Sequence, residues 1–335
     1  MRGGGAGSVD AVLSELVHGV QSGAIDPVDL VEEAVRRIDA GDGAINAVVR
    51  LDADAAREVA AGHDRSGPLA GLPFLVKDMA RCAGSVTTYG SAMFVDADPD
   101  DSDDDAVARL RAAGAIVLGR TNTPAFGHAP FTANLVFGAT RNPWNTDCSP
   151  GGSSGGSAAA LAAGFVPIAT TSDGGGSVRI PAALCGLVGL KPTTGSVGRN
   201  VLPRWIELST QGVTASTVAD VVLQAQVVAG ASPGDWLSAP TTPGQFTPTR
   251  PASVRACRTF RADVDPVVEA AYEASLDSIA ADGIPVERVD SPCGAQAIID
   301  WFFISACELA HSLAGERDRW ESFDTSLQDI LRFGI

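Results

Sequence analysis

Residues 151–186 run as GGSSGGS, SAAALAAG, FVPIATTS, DGGGS and VRIPAALCG. That is a glycine-serine loop, a helix built from small side chains, a strand, a second glycine loop and a helix with proline in its first turn. A Gly/Ser run is ordinarily a flexible linker. A linker is not normally followed at once by so tightly patterned a helix–strand–loop–helix unit, so this segment reads as built structure. The same texture lies upstream. LPFLVKD at 72–78 and AIVLGRTN at 115–122 are short apolar runs bounded by glycine, and a helix at about 104–113 separates them. Strands alternating with helices predict an α/β fold.

The flanking segments fit around that core. Residues 8–39 predict two helices. Val9, Val12, Leu13 and Leu16 share one face of the first, and Asp26-Pro27 supplies an N-cap and an N1 proline for the second. Residues 46–60 predict a short strand and a helix, and 214–229 another helix. Residues 231–251 are rich in Pro, Gly, Ser and Thr and predict a linker or long surface loop. Beyond them lie a strand at SVRAC, a helix over 264–282 and an apolar helix around WFFISACELAHSL. The expected organisation is one domain over 1–335, with N-terminal helices at 1–62, a catalytic core at 63–230, the loop, and an incomplete C-terminal part at 252–335. The acidic run DADPDDSDDD at 96–105 predicts a solvated loop leading into a helix N-terminus.

The formal charge of −16 argues against nucleic acid or an anionic membrane as a partner, since both would repel the chain. No apolar run reaches the roughly 20 residues that span a bilayer. The first residues lack the apolar core of a signal peptide, so a cytoplasmic location is expected. The six cysteines show no C-x-x-C pair and predict mostly buried thiols rather than a disulfide framework or zinc site.

The chain has 22 arginines and only two lysines, Lys77 and Lys191. Genome composition is one reason for such a bias. A lysine that remains despite it points to a need for a side chain that can lose its proton, because arginine cannot. Lys191, between leucine and proline in a turn-rich stretch, predicts a structural role. Lys77 ends the apolar run GLPFLVKD. Buried there, its ammonium would be pushed toward neutrality and could act as a general base. The alternative is a lysine that reaches solvent or pairs with Asp78.

The loop DGGGS could cradle a phosphate on backbone N–H groups at a helix N-terminus. No P-loop or dinucleotide pattern accompanies it, and its aspartate would repel phosphate. The other use is an oxyanion hole in which N–H groups of Gly174, Gly175 and Gly176 face a carbonyl attacked by Ser177. That nucleophile needs a base. None of His18, His63, His128 and His311 sits in a hydrolase motif. This leaves a Ser-Ser-Lys arrangement of Lys77, a serine from 153–157, and Ser177.

The stretch Gly151-Gly152-Ser153-Ser154, then Asp173 to Ser177, Val178, Arg179, Ile180 and Pro181, resembles the signature of the amidase signature family of serine hydrolases. DPVDLVEEAVRRI, LAGLPFLVKD, GRTNTPAFG, GATRNPW, GLVGLKPTTG and TQGVTASTVAD resemble family segments too. The resemblance covers roughly residues 10–235 well and the rest weakly. It implies a central mixed β-sheet covered by helices on both faces, and an amidase that cleaves a carboxamide C–N bond through an acyl-enzyme.

By position, the resemblance makes Ser177 the nucleophile, Ser153 the bridging serine on a cis Gly152–Ser153 peptide, and Lys77 the base. Ser154, Asp173 and Arg179 become supporting residues. Gly127, His128, Gly151 and Gly152 are expected at the substrate pocket. No metal or cofactor is implied, and the expected partners are a small-molecule amide and, in assembly, a homodimer. Two further readings stand beside this one: a truncated, non-catalytic relative with a binding or assembly role, and an amidotransferase A-type subunit. Thr171 and Ala125 depart from the family pattern, which usually has Gly or Ala at the first and often Glu at the second. Family members usually continue for well over a hundred more residues, so the sheet and pocket wall are expected to be incomplete at the C-terminal end.

Overall fold

A computed structural model describes residues 13–201, 203–239, 246, 249–257 and 264–335. The expectations for residues 1–12, including the helix face at Val9 and Val12, lie outside the described residues. So does much of the expected linker.

Two helices come first, α1 (Leu13–Gln21) and α2 (Pro27–Ile45), with the Asp26 side chain accepting from the Val28 N–H as the expected N-cap. Then follow β1 (Val48–Leu51), α3 (Ala53–Ala61), β2 (Pro73–Lys77), α4 (Asp105–Ala112) and β3 (Ile116–Thr121). A small hairpin, β4 (Ala133–Asn134) and β5 (Gly138–Ala139), precedes α5 (Gly155–Ala162). Next come β6 (Ile168–Ala169), β7 (Thr171–Asp173), α6 (Arg179–Leu184), β8 (Val188–Leu190), β9 (Thr210–Ala215) and α7 (Val218–Val228). The C-terminal part holds β10 (Val254–Cys257), α8 (Pro266–Ala281), β11 (Val286–Val289), α9 (Gln296–Ser312) and α10 (Thr325–Phe333).

The sheet is mixed, with order β1-β3-β2-β6; β2 runs parallel to β3 and β6, and β1 antiparallel to β3. A single residue, Thr170, separates β6 from β7, which leads into the antiparallel group β7-β9-β8. Helices cover both faces. Phe74 and Val76 of β2 enter a core with α1, α4 and α7, while Leu75 enters the other core with α2, α3 and α5. Side chains alternate along a strand, so Lys77 follows Leu75 toward the face where α5 begins.

The small side chains of α5 now have a reason. A Cβ on Gly156 would lie 2.5 Å from the Asn122 backbone, and one on Gly155 would lie 2.2 Å from Thr132 Oγ1. The helix packs backbone against backbone at the end of β3, and only residues without side chains permit that approach. Ser157 ties it further, 2.7 Å from Thr121 Oγ1 and 2.8 Å from the Thr170 carbonyl.

Several local expectations need correction. The segment read as helix from residue 214 begins as strand β9; its alternating TQGVTA pairs with β7 and β8 before α7 starts. The described start of the expected linker is pinned, since Ser232 and Asp235 are buried and Asp235 binds Arg199. The acidic run is not simply solvated. Asp100 binds Arg81 and Thr87, Asp103 pairs with Arg111, and Asp104 is so buried that its carboxyl is pushed up to about 7. Only Cys82 and Cys185 are buried; Cys148, Cys293 and Cys307 are exposed. Among the described residues no single helix is long and apolar enough to cross a membrane.

Candidate active site

Lys77 closes β2 and is 2% exposed. Its backbone N–H donates to Thr170 Oγ1 at 2.8 Å. Its Nζ donates to Ser153 Oγ at 2.8 Å and to Ser172 Oγ at 3.0 Å. Neither partner is charged. Burial pushes the ammonium down to about 7, and the charge on nearby Asp173 only partly opposes this. The alternative of a Lys77–Asp78 pair is not realised, because Asp78 turns to Arg120 and Thr88 in a buried cluster of its own.

Ser153 sits on a cis Gly152–Ser153 peptide just before α5. Its carbonyl accepts from Thr123 Oγ1 at 3.1 Å. Ser154 brackets the strand beside Lys77, accepting from the Ser172 N–H and donating to the Ser172 carbonyl. Ser153, Ser172 and Ser177 line one cavity of about 320 Å³, counting its open mouth, with Gly127, Gly174, Met79 and Trp205. The Ser177 hydroxyl makes no hydrogen bond among the described residues, so the contact expected between Ser153 and Ser177 is not formed in this arrangement.

Asp173 organises the glycine loop. Its carboxylate accepts from the N–H groups of Gly176 at 2.7 Å and Val178 at 3.2 Å. It also takes Arg179 at both ends, Nε at 2.9 Å and Nη2 at 2.8 Å. Burial alone would raise this carboxyl, but the Arg179 hydrogen bonds and charge hold it below the usual carboxylate range. Gly176 therefore needs correcting as an oxyanion donor, because its N–H is already committed to Asp173. What it contributes is a backbone at φ +132°, where an L side chain would be strained. The amides of Gly174 and Gly175 remain without a hydrogen bond among the described residues.

Three expected pocket residues are also corrected. Gly151 and Gly152 are buried and are not among the residues that line the cavity: a Cβ on Gly151 would meet Ile180 and Leu184, and one on Gly152 would meet the backbone of Ala129 and Phe131. His128 does not line the cavity either. Its Nδ1 lies 2.8 Å from the Ala125 carbonyl, and its Nε2 lies 2.9 Å from Ser326 Oγ and 3.6 Å from Asp324 Oδ1, at the start of α10. Gly127 does line the cavity, at φ +72°, and a Cβ there would lie 3.2 Å from Ser153 Oγ.

Two site residues escape a reading of the sequence. Ser172 carries a signal: it lies on the strand that leads into the glycine loop, two residues before its first glycine. Trp301 of α9 carries none. Its indole N–H donates to the Gly174 carbonyl at 2.7 Å, and a Cβ on Gly175 would fall 2.3 Å from its ring. Trp205 packs beside it, ring centroids 5.9 Å apart. A glycine at 175 is thus what lets the indole lie on the loop.

A family profile described as Amidase matches residues 29–332. The chain is 36% identical over 315 residues to the A-type subunit of glutamyl-tRNA(Gln) amidotransferase from Roseiflexus sp. (strain RS-1), covering 90% of this chain but 64% of that protein. It is 41% identical over 234 residues to an acylamidase of Rhodococcus erythropolis, covering 67% of this chain and 49% of the relative. The solved structure of 6-aminohexanoate cyclic dimer hydrolase complexed with substrate superposes with a TM-score of 0.89 at 31% identity, over 97% of this chain and 72% of that one. A family match running from α2 into α10, on a fold shared with a solved bacterial aryl acylamidase of the amidase signature family (TM-score 0.86, 30% identity, 96% of this chain and 72% of that one), places this chain in the amidase signature family.

Proposed function

We propose that the chain is the catalytic part of an amidase that hydrolyses small carboxamides through Lys77, Ser153 and Ser177. One observation carries the reading. A lysine buried without a counter-ion in hydrogen-bond contact is held near neutrality, and its Nζ contacts a serine that shares a cavity with the serine of the glycine loop. A protonated lysine paired with a carboxylate would be a structural element; an amine poised near pH 7 is a base.

In this mechanism the neutral Lys77 amine takes the Ser153 proton as Ser153 takes that of Ser177. Ser177 Oγ bonds to the amide carbon, and the carbonyl oxygen gains negative charge beside the Gly174 and Gly175 N–H groups. The C–N bond then breaks, Ser153 returns a proton to the departing nitrogen, and Lys77 re-protonates Ser153. Water attacks the resulting ester by the same relay, releasing the acid and restoring Ser177. The Ser153 and Ser177 hydroxyls must close on one another when substrate fills the cavity, which fits the looser contacts common in substrate-free sites.

The similarity to the A-type subunit of an amidotransferase supports a second reading, in which the released ammonia passes to another acceptor rather than to solvent. The similarity to an acylamidase supports plain hydrolysis instead. The test is a fluorophosphonate probe followed by peptide mapping, alongside ammonia release from a panel of amides. Labelling at Ser177 that is lost in Ser177→Ala, with turnover, is expected. Labelling of another serine that persists in Ser177→Ala would overturn the assignment.

A further inference from the structure

Arg204 stands in a wall shared by two cavities. One is the cavity of Ser153 and Ser177; the other, about 800 Å³ with its open mouth, is lined by Lys77 and shares Ser172 with the first. Two other arginines line the larger cavity, and both are matched by carboxylates: Arg199 by Asp235, and Arg81 by Asp100 and Asp101. Arg204 has no carboxylate within ion-pair distance among the described residues. Its one hydrogen bond there runs from Nη1 to the Ser312 carbonyl at 3.0 Å, and its Nε is buried without a partner.

What holds the guanidinium is aromatic. Its carbon lies 4.9 Å from the Tyr89 ring centroid, 5.1 Å from Phe94 and 5.4 Å from Phe126. Ring faces stabilise the cation but leave its in-plane N–H donors unused. In a chain with 40 acidic residues against 24 basic ones, a shortage of acids does not explain the missing partner. The acids on the larger cavity are otherwise engaged: Asp105 pairs with Arg109, and burial of Asp104 disfavours its charge. The neighbours of Arg204 belong to the reaction site. Phe126 precedes Gly127, which abuts Ser153, and Trp205 packs on Gly174.

We propose that Arg204 receives the carboxylate of the substrate, so that this site takes short amides carrying an acidic group on the acyl chain. A planar carboxylate matches the donor fork of a guanidinium, and here it would meet that fork in a partly desolvated wall of the nucleophile's own cavity. The inference rests on the amidase function proposed for Lys77, Ser153 and Ser177, whose failure it can be told from.

The experiment compares succinamate with butyramide and glutaramate with valeramide, pairs that differ by a carboxylate. The wild-type chain is expected to favour the acidic member by at least about tenfold in kcat/KM. Arg204→Met should reduce that ratio by about tenfold or more, and Arg204→Lys should keep part of it. The ratio is internal to each protein, so partial misfolding cannot produce it. Binding of glutarate to Ser177→Ala protein by calorimetry, weakened by adding Arg204→Met, gives a readout that needs no turnover. A wild-type ratio near one, or a ratio unchanged in Arg204→Met, would overturn the proposal. If Arg204→Met fails to fold, competitive inhibition of the wild type by glutarate but not by glutaramide supports it, and inhibition by neither overturns it. Glutarate bound through Arg204 by a chain that cleaves no amide would uphold the anion site and defeat the amidase reading.

Discussion

Lys77 Nζ donates to Ser153 Oγ at 2.8 Å from inside the protein, with a second serine hydroxyl, Ser172, as its only other hydrogen-bond partner among the described residues. This pairing separates charge from basicity. Lys77→Arg keeps a cation in the site but supplies no group that can lose a proton, and Lys77→Ala removes the group altogether. Both variants are expected to lower kcat/KM by about 10²–10⁴, the usual range for a lost general base. Steady-state amide turnover measures this. An arginine variant close to wild type would remove Lys77 from the role of base.

The same environment sets a pH profile. Only the neutral amine accepts a proton, and burial holds Lys77 at about 7. Activity should therefore be full above that value and fall about tenfold for each further pH unit below it. The profile of kcat/KM between pH 5 and 9 tests the sign directly. An acid limb near pH 4 would instead implicate a carboxylate.

Much of this site is legible in the sequence because its parts are short-range. The glycine loop, the serine at its end and the single lysine at a strand terminus each occupy a few consecutive residues. Burial of Lys77 follows from the alternation that sends Leu75 and Lys77 to the face of α5. Contacts across the chain are what the sequence hides. Gly176 resembles an oxyanion donor because sequence does not show where an N–H points, and the Asp173 carboxylate three residues earlier takes it. Gly151 and Gly152 resemble pocket lining, whereas their lack of side chains serves packing against residues 129–131 and α6. Trp301 lies 127 residues from the carbonyl it binds, with no motif to link the two. Only Thr214 and Ala215 of β9 fall within the segment read as helix, because the strand ends two residues before α7 starts.

The Asp173 carboxylate is the hub of the glycine loop, so its loss should exceed that of any one of its partners. Asp173→Ala frees the Gly176 and Val178 amides and strands Arg179, and the loop loses the geometry that aims Gly174 and Gly175. A fall in kcat of about 10²–10³ is expected, comparable to losing an oxyanion donor outright, together with a lower Tm. Arg179 is half exposed, and its truncation should cost less because water can replace it in part. The pH sign also follows. A carboxyl held below its unfolded value contributes stability above about pH 4 and loses it as pH falls through the lower folded value. Asp173→Asn should therefore flatten part of the acid limb of a Tm-versus-pH curve, and an unchanged limb would place the acid sensitivity elsewhere.

The outer face of α9 carries the last prediction. Ile298, Ile299, Phe302 and Phe303 are exposed along it, with Phe303 at 50%, and Phe333 of α10 packs its ring 5.1 Å from Phe302 and 4.9 Å from Phe303. Isolated exposed apolar residues are common, but a contiguous cluster of this kind marks a surface that gains by being covered. Each apolar Å² removed from water is worth about 25 cal/mol. Opposing that gain is the repulsion between two chains of charge −16. Salt shortens the reach of this repulsion to about 8–10 Å at 0.1–0.15 M and leaves apolar burial intact. The 335-residue chain is therefore expected to associate more as salt rises, and Phe303→Asp or Ile299→Asp should suppress the association without lowering the Tm of the monomer. Light scattering coupled to size exclusion at about 20 and about 300 mM salt, either side of the range where screening sets in, reads both effects. Association that weakens with salt, or that survives both aspartate substitutions, would show that contacts between copies form through charged surface elsewhere and that the α9 face is not the seat of self-association.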